Sequence, residues 1–371
     1  MAPISVVHVI NGGIGVGGAE RMLSRIVHCA DRSRFRHSVV TILPCEHLEA
    51  EMRSAGATFI SLGVAEGARP APRVLTALPK LLRLPPANLF VGWLNYGGVL
   101  ASLLGSARGV PVVLNFRSTP TPADLRRPVM RALRVLAPRA ATRLANSHTA
   151  QSCLEAAGFG RVGFIANGFS SDEFCRDRDR GLAFRAAHGI PCDAFLFGHV
   201  ARFHPVKNQA GLLRAAEVVL GTAPQAHMVF VGRAVPSALQ PLLQTTGSSG
   251  RVHLLEGVDE PQEVYSALDA YVHNSDFEGF PNVIAEAMLH ELPIVCSDAG
   301  ESRVIVGEDN LVVPPRRDDL LAAAMSEVLG MSAAARATLG AANRERVSSL
   351  YSAERVVAKF EALLSTAVGD L

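Results

Sequence analysis

The feature that most constrains this chain is a rhythm: apolar runs of strand length recur at intervals that leave room for a helix between them. In the first half they read SVVHVI, HSVVTIL, ATFISL, LFVGWL, VPVVLN, TRLANS and RVGFIAN. Apolar strands alternating with helix-length segments predict a parallel sheet covered on both faces. The rhythm then restarts with AFLFGHVAR, AHMVFVG, VHLLEG, AYVHNS and PIVCSD. Between the two series lies SSDEFCRDRDR, Ser170 to Arg180, with the composition of an exposed connection. A chain of 371 residues with 49% hydrophobic content can give each half its own core. The expectation is an α/β protein of two Rossmann-like domains, residues 1–180 and 181–350.

Several other classes are disfavoured. No charged residue occurs from Leu84 to Ala107, a stretch long enough to test as a membrane span. Pro85, Pro86, Asn88, Asn95, Gly97 and Gly98 divide it into a strand-like LFVGWL and a helix-like GGVLASLLGSA, followed by the strand VPVVLN. The first residues, MAPISVVHVI, read as a buried strand and lack the basic lead-in of a secretory signal. Cys29, Cys45, Cys153, Cys175, Cys192 and Cys296 form no Cys-x-x-Cys pair, so neither zinc nor a disulfide framework is indicated and a reducing cytoplasm fits. Asp177-Arg178-Asp179 resembles a metal-chelating Asp-x-Asp but sits among arginines with no following strand; no metal is expected.

The net charge of +2 is unevenly spread. Up to Arg180 there are 22 Lys and Arg against 12 Asp and Glu, and beyond it 14 against 22. The positive half can attract an anionic surface or acceptor. Its arginines are not interleaved with stacking aromatics, so nucleic acid is not an expected partner. From Pro122 to Leu144, Leu125, Val129, Leu133 and Leu136 recur at helical spacing beside Arg126, Arg127, Arg131 and Arg134. A basic amphipathic helix there would suit an anionic leaflet; a core-facing helix with solvated arginines reads as well or slightly better, given Pro128 and Pro138.

Two motifs carry chemistry. After the first strand, Gly13, Gly15 and Gly18 match the dinucleotide fingerprint G-x-G-x-x-G, which raises an NAD-dependent dehydrogenase. The acid that should close the second strand is missing, since HSVVTIL runs into Pro44 and Cys45. Alternatively Gly17 and Gly18 let backbone N–H groups approach a diphosphate or sugar. In the second half Glu278-Gly279-Phe280-Pro281-Asn282-Val283-Ile284-Ala285-Glu286 places two carboxylates around a loop-to-helix junction, with Asn282 a plausible N-cap. Both glutamates can face one ligand at that helix start: one accepts from hexose hydroxyls and the other from a ribose.

This segment resembles the E-G-F-P-x-V-x-x-E-A-M signature of the family 4 glycosyltransferases, retaining enzymes of the two-domain GT-B fold. GGAER, NSHTAQSCLEAAG, IANGFSSDEF, GHVARFHPVKNQAGLLRAA and VFVG agree in order. The resemblance implies that two domains face one cleft and that a last helix, from about Tyr351, crosses back to the first domain. It implies transfer of a hexose from a nucleotide-diphosphate sugar, UDP or GDP, to a hydroxyl of a glycan or lipid-linked acceptor, without a cofactor. It puts Arg202 and Lys207 on the donor diphosphate, with Glu278 as the third catalytic residue, and Gly279, Phe280, Pro281, Asn282, Val283 and Glu286 around the donor. Gly257 and Val258 are weaker candidates for lining the base. Where many relatives carry a histidine near the sugar, VVLNFRS offers Asn115 and Arg117 on the acceptor side, and guanidinium is no base. His148 and His199 are read as packing or surface residues. A sugar-nucleotide epimerase of the same fold is the remaining alternative.

Overall fold

The computed structural model describes residues 2–13, 17–64, 77, 79–244, 250–258 and 261–369. It divides into two compact units, Met1–Gly168 with Ala353–Leu371, and Phe169–Ser352. The division falls upstream of the polar stretch at 170–180. Phe174 is buried there, and Asp177 caps the helix Arg178–Ala187 by accepting from the Asp179 and Arg180 N–H groups.

The first unit is built on a seven-stranded sheet in the order β3-β2-β1-β4-β5-β6-β7. The strands are β1 Ile4–Ile10, β2 Phe35–Thr41, β3 Thr58–Ser61, β4 Leu89–Trp93, β5 Val112–Phe116, β6 Thr142–Ala145 and β7 Gly163–Phe164, and every pairing is parallel. Successive residues point to opposite faces, and both faces are covered. Val6 and Ile10 join the cluster formed with helices Gly18–Cys29 and Ala353–Gly369, through Leu23, Ile26, Phe360 and Leu364. Val7 and Val9 join the other cluster, with Met130 and Leu133. The final helix therefore belongs to the first unit.

The second unit carries six parallel strands in the order β10-β9-β8-β11-β12-β13. They are β8 Phe195–Val200, β9 Ala226–Val231, β10 Val252–Leu255, β11 Ala270–His273, β12 Ile294–Ser297 and β13 Leu311–Val313. The last of these is additional to the five apolar runs read from the sequence. Both sheets thus have the doubly wound order, whose direction reverses beside the first strand. Ligands of such sheets bind beyond the carboxyl ends of the strands at that reversal. In the second unit it lies between β8 and β11.

Two expectations meet local stereochemistry. The charge-free stretch folds as β4 and the 15-residue helix Leu94–Arg108, and β5 follows it. At a rise of about 1.5 Å per residue that helix is too short for a bilayer core of about 30 Å. Among the described residues no single helix is long and apolar enough to cross a membrane. The continuous basic helix expected from Pro122 to Leu144 does not form. It is broken into Pro122–Arg126, Pro128–Leu136 and the 3-10 turn Ala137–Arg139 before β6. Arg127 is extended at φ −64°, ψ 143°, as a residue before proline prefers, and Pro128 starts a new helix. Met130 and Leu133 are buried, whereas Arg126, Arg127, Arg131 and Arg134 are exposed.

Candidate active site in the second unit

Arg202 is placed by an extension of the β8–β9 ladder. The Ala201 N–H donates to the Val231 carbonyl and the Phe203 N–H to the Arg233 carbonyl, each at 2.9 Å. Gly232 makes this approach possible, because a Cβ there would lie 2.0 Å from the Ala201 oxygen. The Arg202 side chain is exposed at the carboxyl end of the central strand. A single 3-10 turn, Pro205–Lys207, follows, and Asn208 at φ 42° caps the helix Gln209–Thr222 through Oδ1 and the Gly211 N–H. Asn tolerates this left-handed conformation better than most residues. Lys207 is therefore fixed at a strand-to-helix corner.

Its partner lies in the loop that follows β11. Lys207 Nζ lies 2.5 Å from Glu278 Oε1, and the same oxygen accepts from His273 Nε2 at 2.9 Å and Ser275 Oγ at 2.6 Å. The His273 side chain is fully buried, that of Glu278 is 10% exposed and that of Lys207 21%. Burial alone would raise the Glu278 carboxyl. The His273 hydrogen bond and the Lys207 charge outweigh it and hold the group well below the usual carboxylate range. Burial lowers His273 despite the opposing pull of Glu278, and brings its neighbour His199 to about 3, so both rings are neutral. His199 is a packed residue, as expected: its Nδ1 bonds the Val272 carbonyl at 2.9 Å. His148 is exposed and stacks on Phe164.

The remaining motif residues divide by what they present. The helix spans Asn282–Leu289 with Pro281 at the N-cap, so Asn282 is its first residue rather than its cap, and Glu286 falls in the second turn. Glu286 is 2% exposed, with Oε2 accepting from the Tyr265 hydroxyl at 3.0 Å. The ring of Phe280 turns inward between Phe169 and Tyr351, which leaves its backbone for any ligand. Pro281 is buried; Gly279 and Val283 are partly exposed. The Glu278–Gly279 backbone is backed by Gly300, at φ +59°, whose added Cβ would sit 2.5 Å from the Gly279 oxygen, and Gly279 O accepts from the Glu301 N–H. Gly257 and Val258 follow the edge strand β10, two strands away from β8.

The first-unit candidates are less available than the sequence suggested. Gly17 N–H is already taken by Glu20 Oε2 at 3.2 Å, which caps the helix Gly18–Cys29 from within, so the free amide expected at Gly17 is not offered. Gly18 is exposed at the helix start, and Gly15 lies outside the described residues. Arg117 is 8% exposed and spends its terminal nitrogens on the Ile165 and Ala166 carbonyls and Asn167 Oδ1, which accounts for its place better than an acceptor anion does. Burial lowers it to about 9, still cationic at neutral pH. Asn115 is buried with neither amide atom partnered among the described residues. A cavity of about 680 Å³ at the opposite, amino-terminal end of the second sheet is separate from this chemistry. Arginines in its wall, Arg176 and Arg344, are bonded to backbone carbonyls.

Sequence reasoning overlooked His273, Ser275, Tyr265 and Gly300. A signal for the first two was present: a buried strand running into His-Asn-Ser, three residues before Glu278, carries more polar groups than packing requires.

The glycosyl transferase 4-like domain model matches residues 17–168 and the glycosyl transferases group 1 model residues 194–331. EpsF of Bacillus subtilis (strain 168) is 26% identical over 316 residues, 81% of either chain. The capsular polysaccharide biosynthesis glycosyltransferase CapM of Staphylococcus aureus is 23% identical over 214 residues, 54% of this chain and 53% of its own. Among solved structures, Anabaena HepE in complex with UDP-glucose superposes with a TM-score of 0.82 at 21% identity, covering 97% of this chain and 99% of that one. With a matching model on each unit, in the order of the two domains, the chain belongs to the group 1 glycosyltransferases, with the GT-B fold.

Proposed function

We propose that this enzyme transfers a hexose, with retention of configuration, from a UDP-sugar to a hydroxyl acceptor. The observation that carries the reading is the Lys207–Glu278 pair at the carboxyl ends of β8 and β11, where a doubly wound sheet binds its ligand. Exposed Arg202 and partly exposed Lys207 would neutralise the diphosphate as the glycosidic bond breaks, a task two cations can perform without a metal. Glu278 would accept hydrogen bonds from the transferred sugar, and Glu286 from the ribose. Gly257 and Val258 would border the base. UDP is favoured over GDP because HepE binds UDP-glucose. With no base identified for the acceptor hydroxyl, the departing phosphate would take its proton on the same face of the sugar.

CapM supports a role in cell-surface polysaccharide assembly. The exposed Arg126, Arg127, Arg131 and Arg134 suit an acceptor held at the anionic, cytoplasmic face of a membrane. The test is a panel of UDP- and GDP-sugars scored for nucleotide release in the presence of a chelator, with the anomeric configuration of the product read by NMR. Hydride transfer to NAD, epimerised donor without transfer, or inversion would each overturn the corresponding part of the reading.

A further inference from the structure

Glu278 is held more tightly than a ligand-binding glutamate needs to be for charge alone. Three donors converge on Oε1: Lys207 Nζ, His273 Nε2 and Ser275 Oγ. The two oxygens of a carboxylate offer about four lone-pair directions between them, so three donors saturate one oxygen. The tautomer of His273 is fixed by the same geometry. With Glu278 ionised, Nε2 must carry the proton, because an unprotonated Nε2 would set a lone pair against the carboxylate. Nδ1 is then an acceptor, and it is buried without a partner among the described residues. A buried unpartnered ring nitrogen is costly.

The support extends behind these groups. The Ser275 N–H donates to Ser297 Oγ at 2.8 Å, and Ser297 Oγ–H returns a bond to the Ser275 carbonyl at 2.7 Å. Ser275 is thereby tied to the end of β12, while His273 is the last residue of β11. The end of β11 and the turn after it thus supply two neutral donors, and β12 braces the second through Ser297.

We propose that His273 and Ser275 are positioning residues of the donor site: they hold Glu278 Oε1 so that Oε2 alone is presented to the hydroxyls of the transferred sugar. The inference rests on the donor-site reading above. Both residues act through Glu278 and touch no ligand. When Lys207 turns a proton towards a diphosphate, His273 and Ser275 keep the carboxylate in register.

The test is a double-mutant cycle read with UDP-glucose hydrolysis and, separately, UDP binding. His273→Leu should lower kcat about tenfold or more and narrow the preference for UDP-glucose over UDP-galactose, while the UDP dissociation constant stays within twofold. His273→Gln, which can return an N–H near the place of Nε2, should recover activity to within about threefold of the parent. Ser275→Ala should fall between them. Because His273 acts through Glu278, His273→Leu in a Glu278→Gln background should add less than a threefold further loss. Additive losses, or a leucine variant as active as the parent, would overturn the proposal. If His273→Leu no longer binds UDP, the decision passes to Ser275→Ala and His273→Gln: an unchanged sugar preference in Ser275→Ala refutes the proposal, and a changed one upholds it. Failure of the underlying reading looks different: Glu278→Gln itself would leave UDP-glucose turnover unaltered.

Discussion

His8 is the fifth residue of β1 and His199 the fifth of β8, the first strands of two sheets with matching order. In the first unit Trp93 Nε1–H donates to His8 Nδ1 at 3.1 Å, which leaves His8 Nε2–H to donate to His37 Nδ1 at 2.8 Å. The chain ends inside the core, at a His37 Nε2 with no partner among the described residues. In the second unit His199 packs beside His273, whose donor runs outward to Glu278 and Lys207. Topology brings a polar side chain to the same point twice. Whether it becomes a site depends on where its hydrogen-bond chain emerges, which is a property of side chains and not of the fold.

The largest effect should come from breaking the inward chain. Trp93 is fully buried and is the only tryptophan, so its fluorescence follows the first unit alone. Trp93→Ala should cost about 3–5 kcal/mol, as for other large-to-small core changes. Urea unfolding followed by far-UV circular dichroism measures that loss, with the UDP dissociation constant unchanged within twofold. A Trp93→Ala protein of parental stability, or one that loses UDP binding while folded, would remove the distinction between the two polar chains.

Next come the outward groups. Arg202→Ala and Lys207→Ala should each lower kcat on the order of 10²-fold, because their charge matters most as the leaving group forms. Glu286→Ala should mainly raise KM for the donor. The Arg202 and Lys207 variants should melt within a few degrees of the parent, since Arg202 is exposed and Lys207 is partly exposed, whereas Glu286→Ala takes an acceptor from the buried Tyr265 hydroxyl and should melt lower. Steady-state kinetics with thermal melts decides this, and variants within threefold of the parent would displace the donor site from this corner.

Acid should weaken both units through their buried histidines. Burial lowers His37 to about 4 in the first unit, and His290 to about 4 and His199 to about 3 in the second, against 6.5 in an exposed chain. The unfolded state therefore binds more protons below pH 6.5. Stability present above that pH is lost as pH falls towards the folded values, by up to about 1.4 kcal/mol per unit for each histidine. Glu278 contributes in the same direction only below about pH 4.5, where an exposed glutamate takes its proton. Urea midpoints at pH 7, 6 and 5 test this, with Trp93 fluorescence for the first unit. His37→Leu should make that profile shallower, with His8, which burial also lowers, carrying the rest, and a wild-type profile already flat would show that the rings do not stay neutral.

How much of this was legible follows from what each signal depends on. Strand runs such as SVVHVI and VPVVLN were readable because strands buried on both faces must be apolar along their whole length. The short edge strand Leu311–Val313 carries too few residues to show a period. Glu278 and Glu286 stood out by type and spacing, whereas His273 gains its meaning only from the distance to Glu278. Gly17 illustrates the converse: the loop looked open, but Glu20 three residues on occupies its amide. The proline break at Arg127–Pro128 was visible in the letters and favoured a core-facing helix, but the letters did not show that it would split the segment into two helices and a 3-10 turn.

The smallest expected effect concerns that broken segment, and it asks whether the first unit, lacking the outward charged chain, uses its surface instead. The helix Pro128–Leu136 buries Met130 and Leu133, so its apolar stripe is already engaged in the core and cannot insert into lipid. What remains for a membrane is charge, with Arg126, Arg127, Arg131 and Arg134 exposed and Val135 66% exposed among them. Arg127 is also near Asp124, at 3.6 Å, which weakens its share. A basic residue near an anionic leaflet contributes about 1 kcal/mol. Arg131→Gln or Arg134→Gln should therefore reduce co-sedimentation with phosphatidylserine vesicles about fivefold each, and Arg127→Gln less. All binding should fade as added salt shortens the Debye length from about 10 Å towards 3 Å. Val135→Ser should change it little, because the attraction is through charge. Binding that survives high salt, or that falls with Val135→Ser and not with Arg131→Gln, would mean insertion by another apolar surface, and equal binding of all variants would make this helix a purely structural element.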